Sequence, residues 1–392
     1  MTADSPPSLI ELLQGMVRID SVNSALTGGG CAESALSNYL EAIATGWGLT
    51  TKRLPVPGRA DQLLVTHEAK AGRPWLLFDS HMDTVAVDGM TVEPFGGELR
   101  DGKVYGRGAC DTKGTGAAML WALKQYAANP ESPNNIALLF SIDEEVGMLG
   151  VKSFLMNDLE ASEIEPTNIR GVIVGEPTEL HPVIAHNGLF RWKVTTQGLA
   201  AHSSVPHEGR SAIRMMMKLI HALESDYIAK VDAQHVLTGQ AVCSINMIRG
   251  GSATNIIPDT CVIDVDRRVA PGEDFESVTP AFMSVLESAK ARDDSIDYSV
   301  EVLTTHPPLL PDKSEALLAG IKGVLKEQGL PQLHLGAPFA THGSYFGQAG
   351  LPTVVLGPGE IHKAHTKDEY ISVEQLQRGA EVYLGLMRAD YA

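Results

Sequence analysis

Positive charge is what this chain lacks most. Its 31 Lys and Arg stand against 48 Asp and Glu, a formal net charge of −17, whereas a nucleic-acid partner needs a basic footprint. Acidity of this size serves solubility, and it also suits a protein that holds cations with carboxylates. No apolar run approaches the roughly 20 residues that cross a bilayer. The opening stretch, MTADSPPSLIELLQ, has no basic region followed by an apolar core and does not read as a signal peptide. Cys31, Cys110, Cys243 and Cys261 show no C-x-x-C spacing and read as reduced thiols of a cytoplasmic protein. Neither phosphate-cradling fingerprint is present: no G-x-x-x-x-G-K-[ST] can be aligned, and G-x-G-x-x-G is missing.

What is present is the composition of an ordinary globular protein, 44% hydrophobic and 20% charged, at a length that favours two domains. Trp75 to Phe78 reads as a buried strand leading into His81-Met82-Asp83. Residues two apart in an extended segment face the same side. His81 and Asp83 therefore share a site at the carboxyl end of the strand, where open α/β sheets place their ligands. A carboxylate beside a histidine fixes the tautomer of a metal-binding imidazole. A second apolar strand, Ile136 to Phe140, ends in Asp143-Glu144-Glu145, and a third, Gly171 to Val174, in Gly175-Glu176-Pro177. Adjacent acids there repel unless something cationic sits among them. Between the first two strands lies a Gly-rich loop, Gly106 to Gly116, that carries Asp111 into a helix, Ala117 to Tyr126. Asp111 suits a helix cap and suits a ligand role equally. Three strand ends and one loop thus contribute His, Asp and Glu, the ligand set of Zn²⁺ and related ions.

The rest of the pattern gives an organisation. After Pro6-Pro7, Ser8 and Glu11 form a capping-box pattern ahead of a helix with Leu9, Leu12, Leu13, Met16 and Val17 on one face. The turn Gly28-Gly29-Gly30 leads to a second helix near 33–45. After Glu176 the texture changes to an alternating strand near 189–196, a loop with His202, a helix near 210–224, strands near 242–248 and 261–267, an acidic helix near 275–290 and a last strand, an order of strand, helix, strand, strand, helix, strand. The expected fold class is α/β, a central mixed sheet with helices on both faces built from residues 1–187 and 302–392. Residues 188–301 are expected as an inserted, smaller α+β domain.

Five motifs in order, S-H-M-D-T-V, G-R-G-A-C-D-T-K-G, D-E-E-V-G, G-E-P-T and I-H-K-A-H, carry a resemblance over nearly the whole chain. The chain resembles the co-catalytic zinc deacylases and exopeptidases, which include acetylornithine deacetylase, succinyl-diaminopimelate desuccinylase, aminoacylase and the glutamate carboxypeptidases. G-E-P-T and A-H-S-S-V-P-H-E-G-R-S-A-I are most similar to the acetylornithine deacetylase and desuccinylase branch. By motif position the resemblance implies two divalent metal ions, zinc with cobalt as a substitute. His81 and Glu176 would hold one, Glu145 and His365 the other, and Asp111 would bridge them. It implies Asp83 as the support of His81 and Glu144 as the general base. It makes His202 an oxyanion donor, in its own subunit or across a homodimer, where the residue alone reads as a surface loop histidine. Asn255 and Arg268 match substrate-carboxylate positions, and Arg268 equally suits a salt bridge on its strand. His362 stands close enough to rival His365. Phe339 to Phe346 fits the family's substrate loop, which places His342 and Gly343 at the substrate. Many members carry an acid where His342 stands, so this departure puts acetylornithine itself in doubt and leaves the N-acyl amino acids as a class.

The implied chemistry is amide hydrolysis. Asp111, Glu145 and Glu176 bring three negative charges against four from two divalent ions, a difference that a bridging hydroxide would close. Such ions polarise a carbonyl and lower the pKa of bound water toward ~7. Glu144 would move the proton, and His202 would stabilise the oxyanion. The expected substrate is an N-acyl amino acid or short peptide. A dipeptidase, an aminopeptidase or a desuccinylase uses the same scaffold, and a metal-binding protein without catalysis is the reading of another class. A spare base such as Glu144 argues against that last reading. The inserted domain is expected to move as a lid and to mediate dimerisation.

Overall fold

The computed structural model describes residues 7–28, 32–129, 132–159, 162 and 164–391. Pro6, Gly29, Gly30 and Cys31, which the sequence reading used, lie outside the described residues. The chain divides into two units, Met1–Ile184 with Pro311–Leu335 and Thr341–Ala392, and Ala185–Leu310 with Gly336–Ala340.

The strands of the two main sheets are, in chain order, β1 (Thr50–Leu54), β2 (Gln62–His67), β3 (Trp75–His81), β4 (Asn135–Ser141), β5 (Ile169–Val174), β6 (Val183–His186), β7 (Gly188–Gln197), β8 (Val242–Gly250), β9 (Thr260–Val269), β10 (Tyr298–His306), β11 (Leu335–Ala337) and β12 (Thr353–Val355). The longer helices are α1 (Leu9–Val17), α2 (Glu33–Gly46), α3 (Lys113–Ala127), α4 (Ala212–Asp226), α5 (Val278–Arg292), α6 (Glu315–Glu327) and α7 (Val373–Arg388).

The larger sheet is mixed, in the order β1-β2-β4-β3-β5-β12-β6-β11. Its central strands β4, β3, β5 and β12 are parallel, so all four end on one edge. β4 is buried at every position, which is why it reads as an uninterrupted apolar run. The register sets His81 beside Ser141 and Asp79 beside Leu139 and Val174. The segments that follow β3, β4 and β5 therefore leave the sheet from neighbouring points. On the sheet lies α7, where Tyr383 meets Phe78 edge-on at 5.9 Å. Ser8 and Glu11 close the capping box of α1, whose five predicted apolar residues are all buried.

One helix begins earlier than expected. α3 starts at Lys113, not near 117, and its N-cap is Thr112, with no side-chain cap bond. Asp111 is thus not the cap. Its first turn, Lys113-Gly114-Thr115-Gly116, is poor helix-forming sequence, yet all four residues are buried and packing decides the outcome.

In the second unit, β8-β9-β7-β10 form an antiparallel sheet. Alternate residues split its faces. Phe190, Trp192, Val194, Ile263 and Val265 pack with Met216, Leu219, Leu223, Phe282 and Leu286 of α4 and α5. Trp192 stacks on Phe282 at 4.1 Å and on Phe190 at 5.4 Å. The other face carries cross-strand ion pairs, Arg191–Asp266 (2.9 Å), Lys193–Glu301 (2.9 Å) and Arg249–Asp264 (3.2 Å). Among the described residues, no helix is long and apolar enough to cross a membrane.

Candidate metal centre

The carboxyl edge of the parallel strands gathers the acids and histidines. His81 is the last residue of β3 and is buried. Its Nδ1 lies 2.9 Å from the carbonyl oxygen of Asp83. A carbonyl can only accept, so Nδ1 carries the proton and the Nε2 lone pair is left for the site. That lone pair faces Asp111 Oδ1 at 3.2 Å. The other oxygen, Asp111 Oδ2, faces His365 Nε2 at 3.3 Å, and the same Nε2 lies 3.1 Å from Glu145 Oε1. One carboxylate thus stands between two imidazoles, an oxygen toward each. Imidazolium protons bridge these contacts in the absence of an ion, and a divalent cation would bridge the same atoms.

Two donor groups follow from this geometry among the described residues. His81, Asp111 and Glu145 offer ligand atoms within 4.8 Å of one another, and so do His81, Glu144 and Glu176. Nitrogen and carboxylate oxygen donors of this kind fit Zn²⁺, Co²⁺ or Mn²⁺. Glu176 reaches the group because Gly175 lets the chain pass close over α3: a Cβ there would collide with Thr115 and Met119. His365 sits in the left-handed region at φ +60° and keeps half of its side chain in solvent. His362 is exposed, paired with Glu360 at 2.9 Å and outside the cluster.

The electrostatics record the crowding. Burial, then the charges of Asp111, Glu144 and Glu145, push the Glu176 carboxyl well above its usual range. Glu144 is pushed up in the same way, by burial first and then by Glu145, Asp111 and Asp83 against the pull of His81. Burial also raises Glu145. Asp111 goes the other way: hydrogen bonds from His365 and His81 outweigh its burial and hold it low. Burial pulls the His81 imidazole down, but Asp111 and Asp83 more than offset that and raise it well above its usual value. Asp111 and Glu145 lift His365 to about 11. The push on Glu144, Glu145 and Glu176 is toward the protonated form, and cations placed among the carboxylates would reverse its sign.

Asp83 holds more than His81. Its carboxylate oxygen is 3.6 Å from His81 Nδ1, because its own backbone carbonyl takes that proton. The carboxylate instead accepts the backbone N–H groups of Glu144 at 3.0 Å and Glu145 at 3.1 Å. A third bond comes from the Asn23 amide, 2.8 Å away, whose nitrogen also donates to Asp143 Oδ1 at 2.9 Å. Asn23 is fully buried, and sequence reasoning missed it. Glu369, which is buried and accepts the backbone N–H groups of Cys110 at 3.0 Å and Asp111 at 3.1 Å, was missed as well. Cys110 is buried with its thiol pushed well up by that burial, and it is a packing residue.

Two residues expected at the substrate are buried. His342 is buried, with Nδ1 donating to Asp79 Oδ2 at 2.9 Å and Ser141 Oγ at 3.3 Å from the same nitrogen. An acid on β3 draws it inward. Gly343 is also buried and donates its N–H to Thr341 Oγ1 at 3.0 Å. In the second unit, Arg268 is held by Asp266, Nε to Oδ1 at 2.7 Å, as part of the charged sheet face. His202 and Asn255 are exposed neighbours: Ser203 N–H donates to the Asn255 carbonyl at 3.0 Å. The N–H of Ser204 donates to His202 Nδ1 at 3.2 Å, and the Ser204 hydroxyl lies 2.7 Å from that nitrogen. Nδ1 therefore accepts, and the imidazole proton sits on Nε2 as a free donor.

Residues 77–389 match the model of Peptidase family M20/M25/M40. Over 422 residues the chain is 27% identical to a probable succinyl-diaminopimelate desuccinylase of Staphylococcus epidermidis, covering 99% of each. Over 387 residues it is 29% identical to acetylornithine deacetylase of Pectobacterium carotovorum, covering 96% of each. Its fold is shared with an M20 family metallo-carboxypeptidase of Sulfolobus solfataricus, at a TM-score of 0.81 and 18% identity over 97% of this chain and 99% of that one.

Proposed function

The chain belongs to Peptidase family M20/M25/M40, a metal-dependent hydrolase family, and on that premise we propose that it is a dinuclear deacylase hydrolysing the amide of an N-acyl amino acid. The observation that carries the reading is Asp111, whose two carboxylate oxygens face His81 and His365 separately. In this reading His81 and Glu176 hold one divalent ion, Glu145 and His365 the other, and Asp111 serves both. Zinc suits the donor set, and cobalt is its natural substitute. Ions bound there supply Lewis acidity toward the amide carbonyl and the attacking water.

The protein's own groups do the rest. Glu144 lies within ligand distance of His81 and Glu176, and in this reading it stays off the ion and serves as the base. It takes the proton of the attacking water and delivers it to the leaving nitrogen. The Asp83 carboxylate holds the backbone of Glu144, so the base is aimed by two hydrogen bonds on its own turn. His202, protonated at Nε2, donates to the developing oxyanion, from its own subunit or from the second subunit of a homodimer, with the second unit acting as lid. Asn255 is assigned to the substrate carboxylate. Arg268 joins it only by leaving Asp266.

The desuccinylase and deacetylase relatives agree on a substrate with an N-acyl group and a free carboxylate. The test is amine release by Zn²⁺- and Co²⁺-loaded protein over N-acetylornithine, N-acetylcitrulline, N-acetylglutamate, N-succinyl-diaminopimelate and dipeptides. Turnover of one N-acyl amino acid, absent in Glu144→Gln, supports the reading. Turnover of dipeptides alone moves the protein to the peptidases, and no turnover in metal-replete protein contradicts a hydrolase acting on these classes.

A further inference from the structure

Arg107 stands in the Gly-rich motif that carries Asp111, yet the chemistry above gives it no work. The structure supplies a partner. Its Nη1 donates to Glu369 Oε2 at 2.7 Å, and its Nε donates to the carbonyl of Ala86 at 3.2 Å. Both side chains of the pair are sealed from solvent. The other oxygen of Glu369 accepts the two successive backbone N–H groups of Cys110 and Asp111. The Glu369 carbonyl accepts the Gly106 N–H at 3.1 Å. Glu369 follows His365 by four residues on the same segment, and the next residue, Tyr370, pairs with Tyr105. One side chain therefore ties the segment of one candidate ligand to the backbone of another, 258 residues apart in sequence.

We propose that Glu369, neutralised by Arg107, is a positioning residue that sets Asp111 against His365 and so governs the ion on the Glu145 and His365 side. The asymmetry follows from what supports each ligand. His81 belongs to β3 and Glu176 follows β5 directly, so the sheet holds both. Asp111 and His365 lie in irregular segments, and among the links between those segments the Glu369 side chain is the one that reaches the backbone of Asp111 itself. The inference rests on the two-ion reading.

The role depends on reach, not charge alone, and two conservative variants separate these. Glu369→Asp keeps the charge for Arg107 but withdraws the carboxylate by one methylene from the two N–H groups. Glu369→Gln keeps an acceptor oxygen in place, and combining it with Arg107→Met leaves no buried charge unpaired. Chelator-stripped full-length protein is titrated with Zn²⁺ by calorimetry, circular dichroism verifies folding, and His365→Ala marks which step belongs to its side. The expected result is that Glu369→Asp weakens that step at least tenfold and leaves the other within twofold. The Glu369→Gln/Arg107→Met protein keeps both steps within about threefold of wild type. Unchanged steps in Glu369→Asp, or both steps weakened alike, overturn the inference while leaving two ions in the wild type. A wild type that takes up one ion removes the two-ion reading and the inference together.

Discussion

Glu144 and Glu145 are neighbours with different tasks, and substitution separates them. Glu144→Gln is expected to keep ion uptake and lose ~10²–10⁴ in kcat, the span of general-base catalysis; near-wild-type turnover would remove Glu144 from the mechanism. Glu33 offers a test away from the chemistry. It is buried on α2, and burial, then the charges of Asp83 and Asp143, push its carboxyl up to about 7 from 4.5. A raised folded-state value means that the folded protein favours the protonated acid. The stability this confers is complete below about 4.5 and is lost as pH rises through about 7. Wild type should therefore lose roughly 1–3 kcal/mol across that window that Glu33→Gln does not lose. Urea midpoints at several pH values measure this, and parallel curves for the two proteins would refute it.

At the scale of elements, the acidic turn after β4 depends on the segment before α2. Asn23 donates to Asp83 and Asp143 at once, and Asp83 in turn holds Glu144 and Glu145. Asn23→Ala should take one hydrogen bond from each of these buried acids and leave Asp83 only its two backbone donors. We expect kcat to fall about 10- to 100-fold with ion stoichiometry kept, because the base loses its aim before the ligands lose theirs; single-turnover rates alongside metal analysis decide it. This is also where legibility in sequence ends. β3, β4 and β5 announce themselves because strands covered on both faces are apolar without interruption, and their last residues carry the acids and histidine. Asn23 and Glu369 follow no local period. Their partners lie 60 and 258 residues away, and a hydrogen bond across such a gap leaves no trace in spacing. β10 fills the place of the last expected strand of the inserted domain, but its pairing with β7 is a tertiary fact that no local pattern carries. The His342–Asp79 pair is likewise a tertiary contact, between a motif loop and an acid inside an apolar strand, that spacing does not show.

For the molecule as a whole, four buried carboxylates and two histidines at one sheet edge make ion binding part of stability. A ligand at a thousand times its Kd contributes about 4 kcal/mol. For a unit of this size that is on the order of 10 °C in Tm. Thermal scans with Zn²⁺ and with EDTA should differ by that order, and coincident melting curves would count against resident ions. Light scattering beside activity bears on the assembly: a monomer fully active at nanomolar concentration would exclude a cross-subunit His202.

Trp192 carries a consequence for observation. The chain has four tryptophans: Trp47, Trp75 and Trp121 lie in the first unit, and Trp192 alone lies in the second. Its indole is sandwiched between two phenylalanine rings with its Nε1 unpaired. An indole so enclosed emits in the blue, without quenching by solvent. With the other three changed to Phe, the emission spectrum becomes a private optical channel into the second unit. Its red shift on heating or in denaturant, set against the far-ultraviolet signal of the entire chain, would time the opening of one unit separately from the other.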